Sequence, residues 1–250
     1  MKKIVLILLL IPIILISYDA NKEFDRANDL YNSGQYDDAA KIYHTLIDSG
    51  YKNAIIYYNL GNAYYRLDKM PQAILYYERA KKLEPMNEDI LFNLKLANLK
   101  IVDKFEPLPK IFFIEWYDTL LEIGNSDSWS IVFIVFIWLT IISLYLTFWT
   151  NFSYLIKKRL FFISIIFFVI SILTILLTFR TYYKEKYDKN AIIFSPSVYV
   201  KSSPDNNATD LFILHEGTKV QLLDHINDWY EVKVQNGNVG WIQKNHFEEI

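Results

Sequence analysis

Apolar and polar positions are arranged in several different ways along this 250-residue chain, and each arrangement predicts a different element. Lys2 and Lys3 precede Ile4 to Ile16, an apolar run of 13 residues. That is short for a membrane span and fits a signal sequence. Small residues follow at Ser17 and Ala20, which places cleavage after Ala20 and the signal peptide at 1–20. Tyr18 fits the cleavage pattern poorly, so an uncleaved anchor is the alternative. No charge occurs between Asp127 and Lys157, nor between Arg159 and Arg180. The segments 131–149 and 160–179 are therefore read as transmembrane helices. The second, at 20 residues, gives about 30 Å of helix, the thickness of a bilayer core. From Ala191 the period becomes two: Tyr230, Val232 and Val234 alternate with Glu231 and Lys233. Asn236-Gly237 marks a tight hairpin, and Val239-Gly240-Trp241-Ile242 returns from it. Further strands are expected at Val198 to Lys201, Leu211 to Leu214 and Lys219 to Leu223.

Between the signal and the spans the chain repeats itself at an offset of 34. Ala27 matches Gly61, Asn28 matches Asn62, Ala39 matches Ala73 and Tyr43 matches Tyr77. Phe24, Tyr58 and Phe92 form a series, and Tyr31 matches Tyr65. The second copy is the clearer: Tyr57, Leu60, Gly61, Tyr64, Ala73, Tyr77, Ala80 and Pro85 stand where the tetratricopeptide repeat has its signature residues. Gly61 and Ala73 are small where two helices cross, and Tyr57, Leu60 and Tyr64 recur at helical spacing as core. Pro85 ends one helix, and the next begins near Glu88. Residues 22–100 thus resemble two tetratricopeptide repeats plus a capping helix. Glu23 departs from the large apolar residue usual at its place. The resemblance implies a concave groove. Its groove-facing positions fall on Phe24, Asn28, Tyr31, Tyr58, Asn62, Tyr65, Arg66 and Phe92. Asn side chains there hold a peptide backbone, and aromatic faces hold apolar side chains. The alternative is that the aromatics only pack helix on helix. The Asn pair speaks for the groove, because Asn forms helix poorly and gains little in an apolar core. Asn32 stands where a basic residue matching Arg66 would complete a carboxylate clamp, so binding of a C-terminal carboxylate is not expected.

The segment 101–128 is a linker or interfacial stretch. Glu106-Pro107-Leu108-Pro109 breaks the helix. Ile111 to Ile123 then mixes Phe112, Phe113, Trp116 and Tyr117 with Glu115, Asp118 and Glu122. It reads as a short interfacial helix, as a helix packed on the repeats, or as a flexible linker.

The tail, 191–250, resembles the bacterial SH3-like (SH3b) domain. The resemblance is carried by Val200-Lys201-Ser202-Ser203-Pro204, Glu216-Gly217-Thr218, Asp228-Trp229-Tyr230-Glu231-Val232 and Gly240-Trp241-Ile242. Lys201 stands where that family often has Arg. Relatives bind cell-wall glycan or peptide, or mediate protein contacts, and Tyr199, Trp229 and Trp241 are the candidate face here. The tail holds four basic and eight acidic residues, a net charge of −4, which disfavours anionic polymers.

Composition and charge then exclude several classes. The chain is 52% hydrophobic and 17% aromatic, too apolar for a disordered protein. A net charge of −2 gives no basic field for nucleic acid. With no Cys there are no disulfides, thiolate metal sites or Cys nucleophiles. The four His are read as surface residues, since none lies three or four positions from another. No phosphate-cradling glycine loop, zinc motif or Gly-flanked nucleophilic Ser occurs. No catalytic residue, metal or cofactor is expected, and the chain is read as non-enzymatic.

Lys157, Lys158 and Arg159 lie in a short loop, 150–159, that the positive-inside rule places in the cytoplasm. Arg180, Lys184, Lys186 and Lys189 oppose that tally, so the signal sequence sets the orientation. Both soluble parts are then periplasmic, on a bacterial inner membrane. The fold class is a multidomain membrane protein: an all-α repeat solenoid, a two-helix transmembrane hairpin and an all-β SH3-like barrel. That order of parts resembles the BatE family of the Bacteroides aerotolerance operons. The resemblance includes Glu106 to Pro109 and Leu214-His215-Glu216-Gly217-Thr218-Lys219-Val220. It implies a scaffold role in tolerance of oxygen or oxidative stress. The implied partners are membrane proteins with von Willebrand A-type domains and other products of the operon. Peptidoglycan sensing through the SH3-like domain is the alternative.

Overall fold

The computed structural model describes residues 20–105, 108–109 and 111–250. The signal peptide up to Asp19, and Glu106-Pro107 of the helix break, lie outside the described residues. The chain forms two compact bodies. One joins the described residues up to Leu108 with Lys189–Ile250, and the other is formed by the described residues of Pro109–Asp188.

The first body begins with five helices: α1 (20–32), α2 (Tyr36–Asp48), α3 (Ala54–Arg66), α4 (Met70–Leu83) and α5 (Glu88–Lys100). Their joints repeat at the offset of the sequence. Gly34, at φ +82°, turns the chain between α1 and α2, and Asp68, at φ +58°, does the same one repeat later. Asn53 caps α3 by accepting from the N–H of Ile56, and Asn87 caps α5 by accepting from Asp89 and Ile90. Tyr43, Leu60, Ile74, Leu75 and Tyr77 fill the core, with Ala27, Ala63, Ala73 and Ala80 at the crossings. A Cβ on Gly61 would stand 2.6 Å from the Tyr77 ring, so only glycine admits that ring so close to α3. Tyr64, expected in the core, is only half-buried and bonds His44 instead.

The same body ends in a seven-stranded antiparallel sheet: β1 (Asn190–Ile193), β2 (Ser197–Lys201), β3 (Asp210–His215), β4 (Lys219–Ile226), β5 (Trp229–Lys233), β6 (Val239–Gln243) and β7 (Phe247–Glu249). The strand order is β3-β2-β6-β5-β4-β1-β7. Gly237, at φ +90°, makes the expected hairpin turn before β6. Val198, Val200, Leu214, Val232 and Ile242 point to one side as core.

Sheet and helices share packing. Ile192 of β1 is fully buried in the helical core, with Phe194 and Ile250 packed beside it. Polar contacts ring this apolar centre. Lys219 reaches the buried Glu78 at 2.7 Å. Arg79 pairs with Glu248 at 3.0 Å and donates to the carbonyl of Glu249 at 2.7 Å. Asp103 accepts from the His215 N–H, the His215 ring and the Thr218 hydroxyl at 2.6–2.8 Å. Three of the four histidines are therefore not the surface residues expected. His44, His215 and His246 are half-buried and bonded, and only His225 is exposed.

The second body holds α6 (Phe112–Glu122), α7 (Ser126–Trp149) and α8 (Tyr154–Tyr187). The last two are long and apolar enough to cross a membrane, with mean hydropathies of 2.6 and 3.1 in their best windows. They pair inside out. Thr140, Ser143 and Thr147 of α7, with Ser164, Ser171 and Thr174 of α8, are buried, while large residues such as Trp138, Phe162 and Leu176 are exposed. That is the reverse of a water-soluble core and the rule for helices meeting in lipid. The hydroxyls cost nothing there because they bond backbone carbonyls. Thr140 bonds Phe136, Thr147 bonds Ser143, and Ser143 reaches across to Leu160 at 2.8 Å. The expected loop 150–159 is shorter: Lys157, Lys158 and Arg159 lie in the first turns of α8, and only 150–153 is non-helical. A helix satisfies its backbone through the headgroup layer as well as the core, so charge does not end it.

Candidate functional site

The repeat builds a polar groove from α1, α3 and α5 on a buried tyrosine support. The Tyr43 hydroxyl, carried by α2, donates to Oδ1 of Asn28 at 2.6 Å. The Asn59 amide donates to the same oxygen at 3.0 Å. One repeat later Tyr77 donates to Oδ1 of Asn62 at 2.7 Å, and Asn93 donates to it at 2.9 Å. Asn93 also donates to the Tyr58 hydroxyl at 2.9 Å. Burial raises the Tyr43 hydroxyl to about 12 and the Tyr77 hydroxyl further, so both remain protonated donors. With both Oδ1 atoms occupied, the Nδ2 groups of Asn28 and Asn62 are what each residue has left to offer a ligand.

Two adjoining hollows follow. One of about 350 Å³ is lined by Asn28, Tyr31, Asn32, Tyr43, Asn59 and Asn62. The next, about 180 Å³, is lined by Tyr31, Asn62, Tyr65, Arg66, Tyr77 and Asn93. Of the expected residues, Asn28, Tyr31, Asn62, Tyr65 and Arg66 come together here. Phe24 and Tyr58 instead lean on Tyr43 and Tyr77, with ring centroids 6.2 and 6.0 Å apart, in the packing role. Phe92 is 61% exposed on α5 and lines neither hollow. Asn59 and Asn93 were not singled out from the sequence, although their offset of 34 is the signal that marks them. The expectation that Asn gains little in an apolar core is corrected: Asn28 and Asn62 satisfy the buried Tyr43 and Tyr77 hydroxyls, and Asn59 and Asn93 brace those two Asn oxygens.

On the sheet, Tyr199, Trp229 and Trp241 alternate with core residues and so share its outer face. Trp241 lies between Lys201 of β2 and Glu231 of β5, and Trp229 beside Gln243. Both Trp are half-buried, and Tyr199 is exposed.

Residues 24–87 match the tetratricopeptide repeat family model, and residues 196–248 match the bacterial SH3 domain. The chain thus carries both kinds of module. No curated protein matches it. Among solved structures, the C-terminal SH3 domain of myosin IB from Entamoeba histolytica is similar over 26% of this chain and 97% of that one. The identity is 18% and the TM-score 0.19, too low to carry an argument.

Proposed function

We propose that the protein is a non-enzymatic scaffold anchored in a bacterial inner membrane, which holds an extended segment of a partner in the groove of its repeats. The observation that carries this reading is the pair of Nδ2 donors on Asn28 and Asn62, one repeat apart and fixed by Tyr43 and Tyr77. Donors held at a repeat spacing suit the carbonyls of an extended backbone, which every protein segment offers. Following the resemblance, the proposed partners are von Willebrand A-type membrane proteins and other products of a Bat-type operon, and the proposed role is aerotolerance.

Asn28→Asp with Asn62→Asp tests the groove cleanly. Each carboxylate still accepts from its tyrosine, but the donors are gone. Two lost hydrogen bonds reduce affinity by about tenfold to a hundredfold. Crosslinking in native membranes, followed by partner capture, reads the loss. Unchanged capture by the folded double variant defeats the groove.

A second reading is peptidoglycan binding through Tyr199, Trp229 and Trp241, favoured by their common outward face. A glycan pull-down that loses signal on Trp241→Ala supports it. Both soluble segments belong to one compact body, which supports a hairpin entering and leaving on one side, here proposed as the periplasm. Single Cys residues at Ser49, Ser153 and Asn206 test this in a chain without native Cys. A membrane-impermeant reagent added from the periplasm labels Ser49→Cys and Asn206→Cys and spares Ser153→Cys. The reverse pattern refutes the orientation.

A further inference from the structure

We infer that α6 is an in-plane membrane helix, seated with its aromatic face in the headgroup layer beside the α7/α8 hairpin. The inference needs only that α7 and α8 span the bilayer. Glu115, Asp118 and Glu122 are spaced three and four residues apart and share one side of α6. The other side carries Phe113, Trp116 and Tyr117, which are 74%, 61% and 38% exposed. Only Leu121 of α6 is buried. Such a face is apolar, continuous and uncovered within its own body, and aromatic residues favour the membrane boundary.

The occupant follows from where α6 is tied. Glu122 at its C-terminal end pairs with Lys184 of α8 at 3.5 Å. Four residues on, the N–H and hydroxyl of Ser126 bond the Glu185 carboxylate at 2.9 and 2.5 Å. The apolar stretch of α8 ends at Phe179, just before Arg180. Lys184 and Glu185 are five and six residues beyond it, about 8–9 Å along the helix. The polar layer on each side of a bilayer core is about 5–8 Å thick. The tie therefore lies at the outer edge of the headgroup layer, from which an amphipathic helix turns its apolar side toward the acyl chains and its acids toward water. No Lys or Arg occurs from Ile111 to Ile123, so apolar contact drives the seating and anionic lipid does not strengthen it.

Spin labels test this on the full chain in phosphatidylcholine vesicles. Phe113→Cys and, separately, Trp116→Cys report the aromatic face, and Glu115→Cys reports the acidic one. The first two labels are relaxed by oxygen more than by a water-soluble nickel chelate, at a depth of about 5–10 Å into the headgroup/acyl boundary. The Glu115→Cys label shows the opposite preference. Adding a quarter of phosphatidylglycerol leaves all three unchanged. Equal access of nickel to positions 113 and 115 places α6 in water and overturns the inference. Shielding of position 113 from both reagents means a protein surface covers it, and overturns it equally. Seating that appears only with phosphatidylglycerol refutes the apolar drive.

Discussion

Asn62 and His44 show how single side chains hold the helical part. The Asn62 oxygen is the acceptor for the Tyr77 hydroxyl, which lies deep in the core. Asn62→Ala leaves that hydroxyl unpaired and costs about 1–3 kcal/mol in chemical denaturation, whereas Asn62→Asp keeps the acceptor. His44 is bonded to the Tyr64 hydroxyl at 2.6 Å and lies edge-on to Tyr64 and Tyr76. Burial lowers its pKa from 6.5. Asp48 and Glu248 oppose that, and Arg79 adds to it. The folded state therefore prefers the neutral ring. The associated stability is complete above pH 6.5 and is lost as pH falls below it. Thermal unfolding between pH 7 and 5 shows this slope, and His44→Gln reduces it. Neither role was legible in the sequence. A half-polar residue next to a tyrosine has the same letter whether it is bonded or solvated. Gly61 and Ala73 were legible, because helices that cross closely exclude a side chain.

Among the elements, the hairpin α7/α8 has its small polar residues at the seam and its bulk outside. Ser171, 1% exposed, bonds the Phe168 carbonyl at 2.7 Å. Ser171→Leu adds volume to that seam and costs about 1–3 kcal/mol by overpacking. Ile172→Leu, on the exposed side, is neutral. Resistance of the purified hairpin helices to denaturing detergent separates the two. The apolar runs announced both spans, since a stretch without charge over a bilayer thickness has few other readings. They did not announce the length of α8. Lys157 to Arg159 read as loop by polarity, yet their aliphatic stems continue a helix into the headgroups without cost.

In the whole molecule, repeat and SH3-like sheet are one body and not two modules on a tether. Asp103 illustrates the joint. Burial raises its pKa, but hydrogen bonds from Thr218, the His215 N–H and the His215 ring outweigh that and hold it below its ordinary 3.8. Its contribution is complete above that ordinary value and disappears as pH falls further, through the depressed value. Hydrogen exchange of β1 and β4 reports the loss in acid. Asp103→Asn weakens protection already at neutral pH and flattens the acid response. This joint left no trace in sequence pattern. Ile192, Phe194 and Ile250 look like ordinary strand residues, and contacts across more than 100 positions have no periodicity to read.

The bonds from Arg79 to Glu248 and Glu249 and from Lys82 to Ile250 link positions 168–170 residues apart, on either side of the hairpin. This separation has a consequence for biogenesis. The docking face of α4, with Ile74 and Glu78, is synthesised early and stays bare while α7, α8 and the sheet are still being made. It is covered only when β1 and β7 arrive. Every nascent chain therefore passes through a stage with an adhesive helical surface. A product cut short before β7 never leaves that stage, which makes it a natural target for chaperones and proteases.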